Sequence, residues 1–526
     1  MPQDDVHFDL LKEAWIPCFT RDGSPVELGA LDTLARAHNL REIACESPLA
    51  TFGIHRLLTA VLQDNLPLST EEEWCAVWKQ GQFASGLLDR VGNACSGRFD
   101  LFDAQRPFCQ SGDIVLDGKG KDKLKSIGYL APEVATGTNA THFAHAFEDA
   151  HGFCPTCCAR GLAAIAPFAT SGGAGIRPSI NGVPPVYVLP VGASLFATLL
   201  LNHVLPRYVS ALASQPDPGP VWRRDSAVTA DEERLEVGFA ESLTWPARRA
   251  RLLPGAGGTC SLCGRNAPVL VWRMVYAQGW WRSKSLPVWR DPWAAYVARR
   301  ASAAASGPIT PLRPYEDRHL WRDFVPLFLA NQERAERPSV LNQIDSLLQE
   351  GLLPADSALR VDAFFVRTDG KMKVFEWRHD RFDFPPAVLA RGPAAESVSP
   401  ALEHAESVGR AIQDALCRIH PDSERGRPDW REIRTAIAHI SRPATRTYWS
   451  TLEASFRRLI ADPDLLGDIN AQARWQEAWW TEVRTVATRA FEGALAGCDT
   501  DANGLRRIET ARRVFYTQLK KLGGER

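Results

Sequence analysis

Apolar residues recur along this chain at two periods, and the change from one to the other divides the sequence. Near the start, the run FDLLKEAWIPCFT is followed by Asp22-Gly23, and the pattern predicts a strand pair turning at that dipeptide. Next, Leu49, Phe52, Leu57, Leu58, Val61 and Leu62 fall on one stripe at helical spacing, with Ser47 placed to cap the helix and Pro48 suited to its first turn. Between Phe99 and Leu130 the pattern is short and broken, and the lysine-rich GKGKDKLK reads as an exposed loop. A loop is also expected at TGTNATHF, an apolar helix from Pro190 to Leu205, and a strand at VLVWRMVY. The Ala-, Ser-, Gly- and Pro-rich stretch from Arg299 to Pro314 reads as a connection.

Past Phe384 the period becomes helical throughout. FDFPPAVLARGPAAESVSP reads as a proline-rich linker over 385–400, separating an N-terminal domain, 1–384, from a C-terminal helical domain, 401–526. In the latter, helices are predicted over Val408–Ile419, Trp430–Ile440, Trp449–Ile460, Trp475–Phe491 and Leu505–Leu519. Amphipathic helices of this length joined by short loops imply an antiparallel bundle. In the last of them Arg506, Arg513 and Lys520 stand at heptad spacing as a basic stripe. The expected fold class is α+β.

Composition narrows the functional classes. The N-terminal sequence has no basic and apolar leader pattern, and no run approaches the roughly 18 apolar residues of a membrane helix, so a cytoplasmic protein with no membrane partner is expected. In that compartment the 12 cysteines are reduced thiols or metal ligands. A net charge of −1 excludes a surface uniformly adapted to nucleic acid. The window from Trp245 to Arg300 departs from that mean, with a local charge of +9 and 6 of the 17 tryptophans. Basic residues interleaved with aromatics suit phosphate and base contact, and they equally suit a solvated face over a Trp-rich core.

Two Cys-x-x-Cys pairs carry the strongest chemical signal. Cys154 with Cys157, and Cys260 with Cys263, can supply the four thiolates of a closed, structural zinc site, with Cys158 as a substitute ligand, and unmetallated cysteines are the other reading of the same pairs. The segment HAFEDAHGFCPTC is near the zinc deaminase signature but departs from it: His145 and Glu148 are one residue too far apart, and Pro155 follows the first cysteine instead of preceding it. After the first pair, Gly172, Gly173 and Gly175 permit positive φ and close approach of backbone to a ligand, without the lysine or spacing of a nucleotide loop. In TDGKMKVFEWRHDRF, Asp369-Gly370 marks a hairpin turn with Lys371, Met372 and Lys373 at its tip. Such a tip is either an ordinary solvated turn or a wedge that enters a groove and opens a base step. No catalytic motif stands out.

Taken in order, FDLLKEAWIP, LFDAQRPFCQ, TGTNATHF, the two cysteine pairs with the glycine cluster after the first, ESLTWPARRARL, EWRHDRF and the helical C-terminal region resemble the large subunit of the type I-E CRISPR surveillance complex, Cascade, over nearly the whole chain. The resemblance implies a large mixed α/β N-terminal domain followed by a four-helix bundle. It implies a non-catalytic subunit that recognises the protospacer-adjacent motif (PAM) on double-stranded DNA, promotes duplex opening and R-loop formation, and helps recruit a helicase-nuclease. Its implied partners are the target DNA, the guide RNA 5′ end, other Cascade subunits and that nuclease.

Carried over residue by residue, the family's glycine loop falls on Gly172, Gly173 and Gly175. Its wedge hairpin falls on Gly370, Lys371, Met372 and Lys373, where a well-known member carries glutamine. A DNA-contacting lysine of the family aligns by counting with Gln278, with Arg282 and Lys284 nearby. The loop that anchors the subunit near the guide RNA falls on Thr136, Gly137, Thr138 and Asn139. A zinc-dependent nucleic-acid-processing enzyme is the alternative reading.

Overall fold

The computed structural model describes residues 6–114, 124–131, 151–171, 175–224, 228–300, 306–316, 318–329, 335–354, 359–369, 374–390, 393–498 and 500–523. The chain forms two compact units, one of Met1–Pro314 with Asn331–Phe382 and the other of Tyr315–Ala330 with Asp383–Arg526.

The first unit is mixed α/β. Its opening strand pair forms as its alternation predicts: Ile16–Thr20 runs antiparallel to Pro25–Leu28, and Gly23 makes the turn at φ +88. Leu40–Ile43 pairs with the other edge of Ile16–Thr20. The helix Pro48–Asn65 begins where Ser47 accepts a hydrogen bond from the Ala50 N–H at 3.4 Å. It is buried on nearly every side, and Phe52 packs within 5.7 Å of Phe168, Tyr187 and Phe364. Gly53 is required there, because a Cβ would lie 2.7 Å from the Ala163 carbonyl of the helix Pro155–Phe168. The close crossing ties that second helix, which carries the first cysteine pair, to the core.

A long antiparallel ladder dominates the rest of this unit. Arg248–Thr259 pairs with Asn266–Gln278 from Arg248↔Gln278 at one end to Thr259↔Asn266 at the other, and Leu124–Ser126 joins the outer edge of the second strand. A separate sheet orders Val374–Asp383, Arg360–Thr368 and Tyr187–Val191 side by side.

Three sequence expectations give way. The apolar run from Pro190 to Leu205 opens as the end of strand Tyr187–Val191, and only Leu195–Leu201 is helical, because Ser194 caps the helix anew by accepting from the Ala197 N–H at 3.2 Å. The expected connection from Arg299 to Pro314 instead contributes to an antiparallel pair, Tyr296–Arg300 with Ser306–Pro311. Backbone pairing, which composition does not encode, overrides the loop-like residues. The proline-rich linker over 385–400 is largely structured, with a 3-10 turn at Pro386–Leu389 and a long helix from Pro393. Pro386 and Pro393 stand at first turns, where a proline forfeits no hydrogen bond, and the helix from Pro393 continues through Pro400.

The second unit has four long helices, Pro393–Leu416, Ala438–Ile460, Ile469–Leu495 and Ala502–Leu522. Buried aromatics are fixed by polar handles: the Trp479 indole donates to the Ala401 carbonyl at 2.9 Å, Trp475 to Leu459 at 2.7 Å, and the Tyr448 hydroxyl to Ala405 at 2.9 Å. The segment Tyr315–Ala330 lies distant in sequence yet belongs to this core. Trp321 sits within 6.3 Å of Trp449, Phe456 and Trp479, and Arg318 and Arg322 both hold Glu406. No helix among the described residues is long and apolar enough to cross a membrane.

Candidate metal centre and nucleic-acid interface

The two cysteine pairs converge. Cys154 stands just before the helix Pro155–Phe168 and Cys157 lies in its first turn, while Cys260 and Cys263 occupy the turn between the two ladder strands. That turn closes through a Gly264 N–H to Cys260 carbonyl bond of 2.9 Å. It is laced to the helix entry by a Ser261 N–H to Gly152 carbonyl bond of 2.9 Å and by mutual Phe153–Val271 bonds of 2.9 and 2.8 Å. The four sulfurs lie within 4.8 Å of one another, with Cys154–Cys263 at 3.7 Å and Cys157–Cys260 at 3.8 Å.

These separations fit a metal ion. Four sulfurs about 2.3 Å from a central ion in tetrahedral array stand about 3.8 Å apart. The Cys154 N–H donates to the Cys260 sulfur at 3.3 Å, a bond suited to a ligating thiolate. Hydrogen-bonding contact with Cys154 and Cys260, together with burial, pushes the Cys157 thiol well up, so an entering cation must displace protons. Cys158 is not part of the set: it is fully buried, and its sulfur faces the Phe153 carbonyl at 3.8 Å. His145 and Glu148 lie outside the described residues.

At the opposite end of the ladder sits the glycine segment. Gly172 and Gly173 lie outside the described residues; Gly175 has φ +88 and open space where a Cβ would project. The segment is closed at its base by a Ser179 N–H to Ala169 carbonyl bond of 2.9 Å. Arg248 then spans it, its guanidinium donating to the Thr170 carbonyl on one side and to the Arg177 carbonyl at 2.8 Å on the other. Burial pulls the Arg248 guanidinium down from its ordinary value, and these carbonyls offset that cost. Gln278 completes the hold by accepting from the Arg177 N–H at 2.5 Å. Arg177 itself lies over Trp281, 3.8 Å from the ring centroid, and pairs with Asp231.

Gln278, which counting aligns with a DNA-contacting lysine of the family, faces inward in this geometry. The residue is 8% exposed, and its amide nitrogen donates to the carbonyls of Ala247, Gly279 and Trp280 at 3.3 to 3.4 Å. The basic window likewise resolves in large part into structure. Trp245, Trp280, Trp289 and Trp293 are buried, and the first three share a core cluster with Ala169 and Ile180, which flank the glycine segment. Arg249 pairs with Asp113 at 2.6 Å, Arg265 with Glu27, and Arg290 with Glu336 at 2.9 Å, so the count of +9 overstates the outward field. Arg282 is half-buried and donates to the Pro287 carbonyl at 2.5 Å, whereas Lys284 is exposed.

The hairpin residues Gly370, Lys371, Met372 and Lys373 lie outside the described residues, as do Thr136, Gly137, Thr138 and Asn139. The strands that carry the hairpin are firmly based: Arg360 and Arg381 both reach Glu42, at 2.5 and 3.3 Å, and His379 meets Asp362 at 2.7 Å. On the strand leaving the tip, Phe375 and Trp377 are exposed at alternate positions. Sequence reading missed Arg248 and Arg177 as holders of the glycine segment. Arg248 was signalled only by its place in an arginine-rich run and Arg177, alone in its stretch, by nothing, since the cross-strand partner of a residue is not written in its neighbours.

Fold and site together define a large mixed α/β protein with a helical second unit, built on a ladder that joins a four-cysteine node to a clamped glycine segment. The family model for CRISPR-associated protein Cse1 matches residues 9–490, and the chain belongs to that family. The likeness read from its motifs, to the large subunit of type I-E Cascade, therefore holds. A curated relative, CRISPR-associated protein CasA/Cse1 of Thermus thermophilus, is 28% identical over 98% of each chain. The structure of Thermus thermophilus CasA (Cse1) is 25% identical, with TM-score 0.75 and coverage of 98% of this chain and 99% of that one. Cse1 from Acidimicrobium ferrooxidans shares the fold, with TM-score 0.77 at 23% identity and 99% of both chains covered.

Proposed function

We propose that this chain is a non-catalytic subunit that reads the PAM on double-stranded DNA, promotes duplex opening and R-loop formation, and helps recruit a helicase-nuclease. A chain of the same fold, 19% identical with TM-score 0.73, belongs to a structure described as a CRISPR RNA-guided surveillance complex. Assembly of this protein with other Cascade subunits in the cytoplasm fits that relationship. The C-terminal helices act as its four-helix bundle, and Thr136 to Asn139 anchor it near the guide RNA 5′ end.

The observation that carries this reading is the hold on the glycine segment. Recognition in the narrow minor groove needs backbone brought close to base edges at a fixed height. Arg248 and Gln278 supply such a fixture for the segment containing Gly172, Gly173 and Gly175. Zinc at Cys154, Cys157, Cys260 and Cys263 locks the other end of the same ladder. The hairpin Gly370 to Lys373, on its ion-paired base, is the wedge that holds the adjoining step open. Lys284 and Arg282 add phosphate attraction nearby.

A zinc-dependent nucleic-acid-processing enzyme is not favoured, because four sulfurs fill a tetrahedral set and leave no position for water. The test is reconstitution of the complex followed by binding across a PAM library. A restricted set of bound PAMs is expected, and equal binding to all would overturn the proposal. Turnover of labelled DNA by the purified chain with zinc or magnesium would instead support the enzyme.

A further inference from the structure

The second unit contains a concave basic pocket with no role in the reading above. We propose that it is a binding site for a phosphoryl group. The cavity is about 360 Å³, within the range of small-ligand sites, and lies between the short helix Trp430–Ala436, the start of Ala438–Ile460 and the end of Pro393–Leu416. Arg431, Arg434 and Arg442 line it, together with Ser441 and Gln413, above a floor that includes Cys417.

Charge makes this arrangement informative. No carboxylate lines the cavity. Arg434 is met by Asp414 at 3.1 Å, but Arg431 and Arg442 are exposed and form no ion pair with any described residue. Arg431 and Arg434 stand three apart on one helix, where like charges repel, and Arg442 adds a third guanidinium from the next helix. Asp429 is occupied in capping the short helix, accepting from the Arg431 and Glu432 N–H groups at 2.9 and 3.1 Å. The pocket therefore concentrates positive charge that one acid only partly offsets.

The donor set selects the anion. A carboxylate is planar and is satisfied by the fork of one arginine, whereas a tetrahedral phosphoryl group accepts from several directions at once. Guanidinium groups from two helices, with the Ser441 hydroxyl and the Gln413 amide beside them, supply donors of that kind. Either a free phosphate or nucleotide, or a phosphodiester of a nucleic-acid strand, carries this chemistry.

The test uses the full chain with inorganic phosphate, followed by phosphorus NMR line broadening, and with a labelled thymidine 12-mer. Arg431→Gln with Arg442→Gln is compared with the charge-retaining Arg442→Lys, with unchanged circular dichroism as the check on folding. The double variant is expected to lose phosphate binding at least tenfold, while Arg442→Lys retains part of it. If the source is a nucleic-acid strand, the salt slope for the 12-mer also becomes shallower by about 1.4 for two lost contacts. Loss of phosphate binding with the 12-mer unaffected supports a free phosphate or nucleotide. Superposed titrations of wild type and double variant for both probes would overturn the site. So would capture of polyglutamate by the pocket without phosphate binding, which would make it a docking surface for an acidic protein.

Discussion

Arg248 and Gln278 are cross-strand partners at the end of the long ladder, and between them they hold both ends of the glycine segment. Arg248 takes the carbonyls of Thr170 and Arg177, and Gln278 takes the Arg177 N–H. The residues on either side of the glycine segment are thereby tied to the end of the long ladder.

Gln278→Ala leaves a backbone N–H unmet inside the protein, at a cost of about 1–3 kcal/mol. The expected result is weaker discrimination between good and bad PAMs with total DNA attraction retained, since the side chain is buried and touches no phosphate. A PAM-library measurement in which Gln278→Ala matches wild type would remove the clamp from the mechanism.

Gly175 tests the same segment from the other side. Its φ of +88 costs a non-glycine residue about 1–2 kcal/mol, while the open space around it means no clash adds to that strain. Gly175→Val should therefore disturb the segment without unfolding the protein, and Gly173→Phe should abolish PAM discrimination while non-specific binding survives. Melting temperature and the ratio of specific to non-specific binding, measured together, distinguish the two effects.

Metal content should be about one zinc per chain by elemental analysis. The ligands must bind as thiolates, so protons compete with the ion, and zinc is retained at neutral pH and lost as pH falls. Cys260→Ser should lower both zinc content and thermal stability, whereas Cys158→Ser should leave zinc content unchanged. Chelator-induced release followed at several pH values checks the direction.

Lys371→Ala with Met372→Ala should leave PAM affinity largely intact and slow strand opening, read by a base-analogue fluorophore beside the PAM. The base of the hairpin rests on Glu42, Asp362 and their arginine partners, so trimming the tip leaves that support in place. Opening at the wild-type rate would show that the tip is an ordinary turn.

Lys284→Glu should weaken binding to all sequences alike and reduce the salt slope by about 0.9. Arg282, half-buried and bonded to Pro287, should contribute less, so its reversal is expected to affect folding as well as binding. Equal slopes for wild type and Lys284→Glu would mean that this surface is only solvated.

Local pattern alone determined a good deal of this protein. The strand pair turning at Gly23, the helix capped by Ser47, and the helices rich in Trp, Leu and Phe after Phe384 are encoded by periods and caps that operate within a few residues. The four metal-type cysteines were equally legible, because Cys-x-x-Cys spacing is itself the geometry of half a site. Tertiary structure decided the rest. It made a strand of Pro190 and Val191, assigned Tyr315–Ala330 to the helical core through Trp321, and buried four of the six tryptophans of the basic window. It also converted Gln278 from a candidate contact into a fixture, and Arg248 from one charge among ten into the clamp of the glycine segment. These outcomes depend on which strand lies opposite and which carbonyl is left without a partner in the interior. Such facts arise only when residues far apart in sequence are brought to within a hydrogen bond of each other.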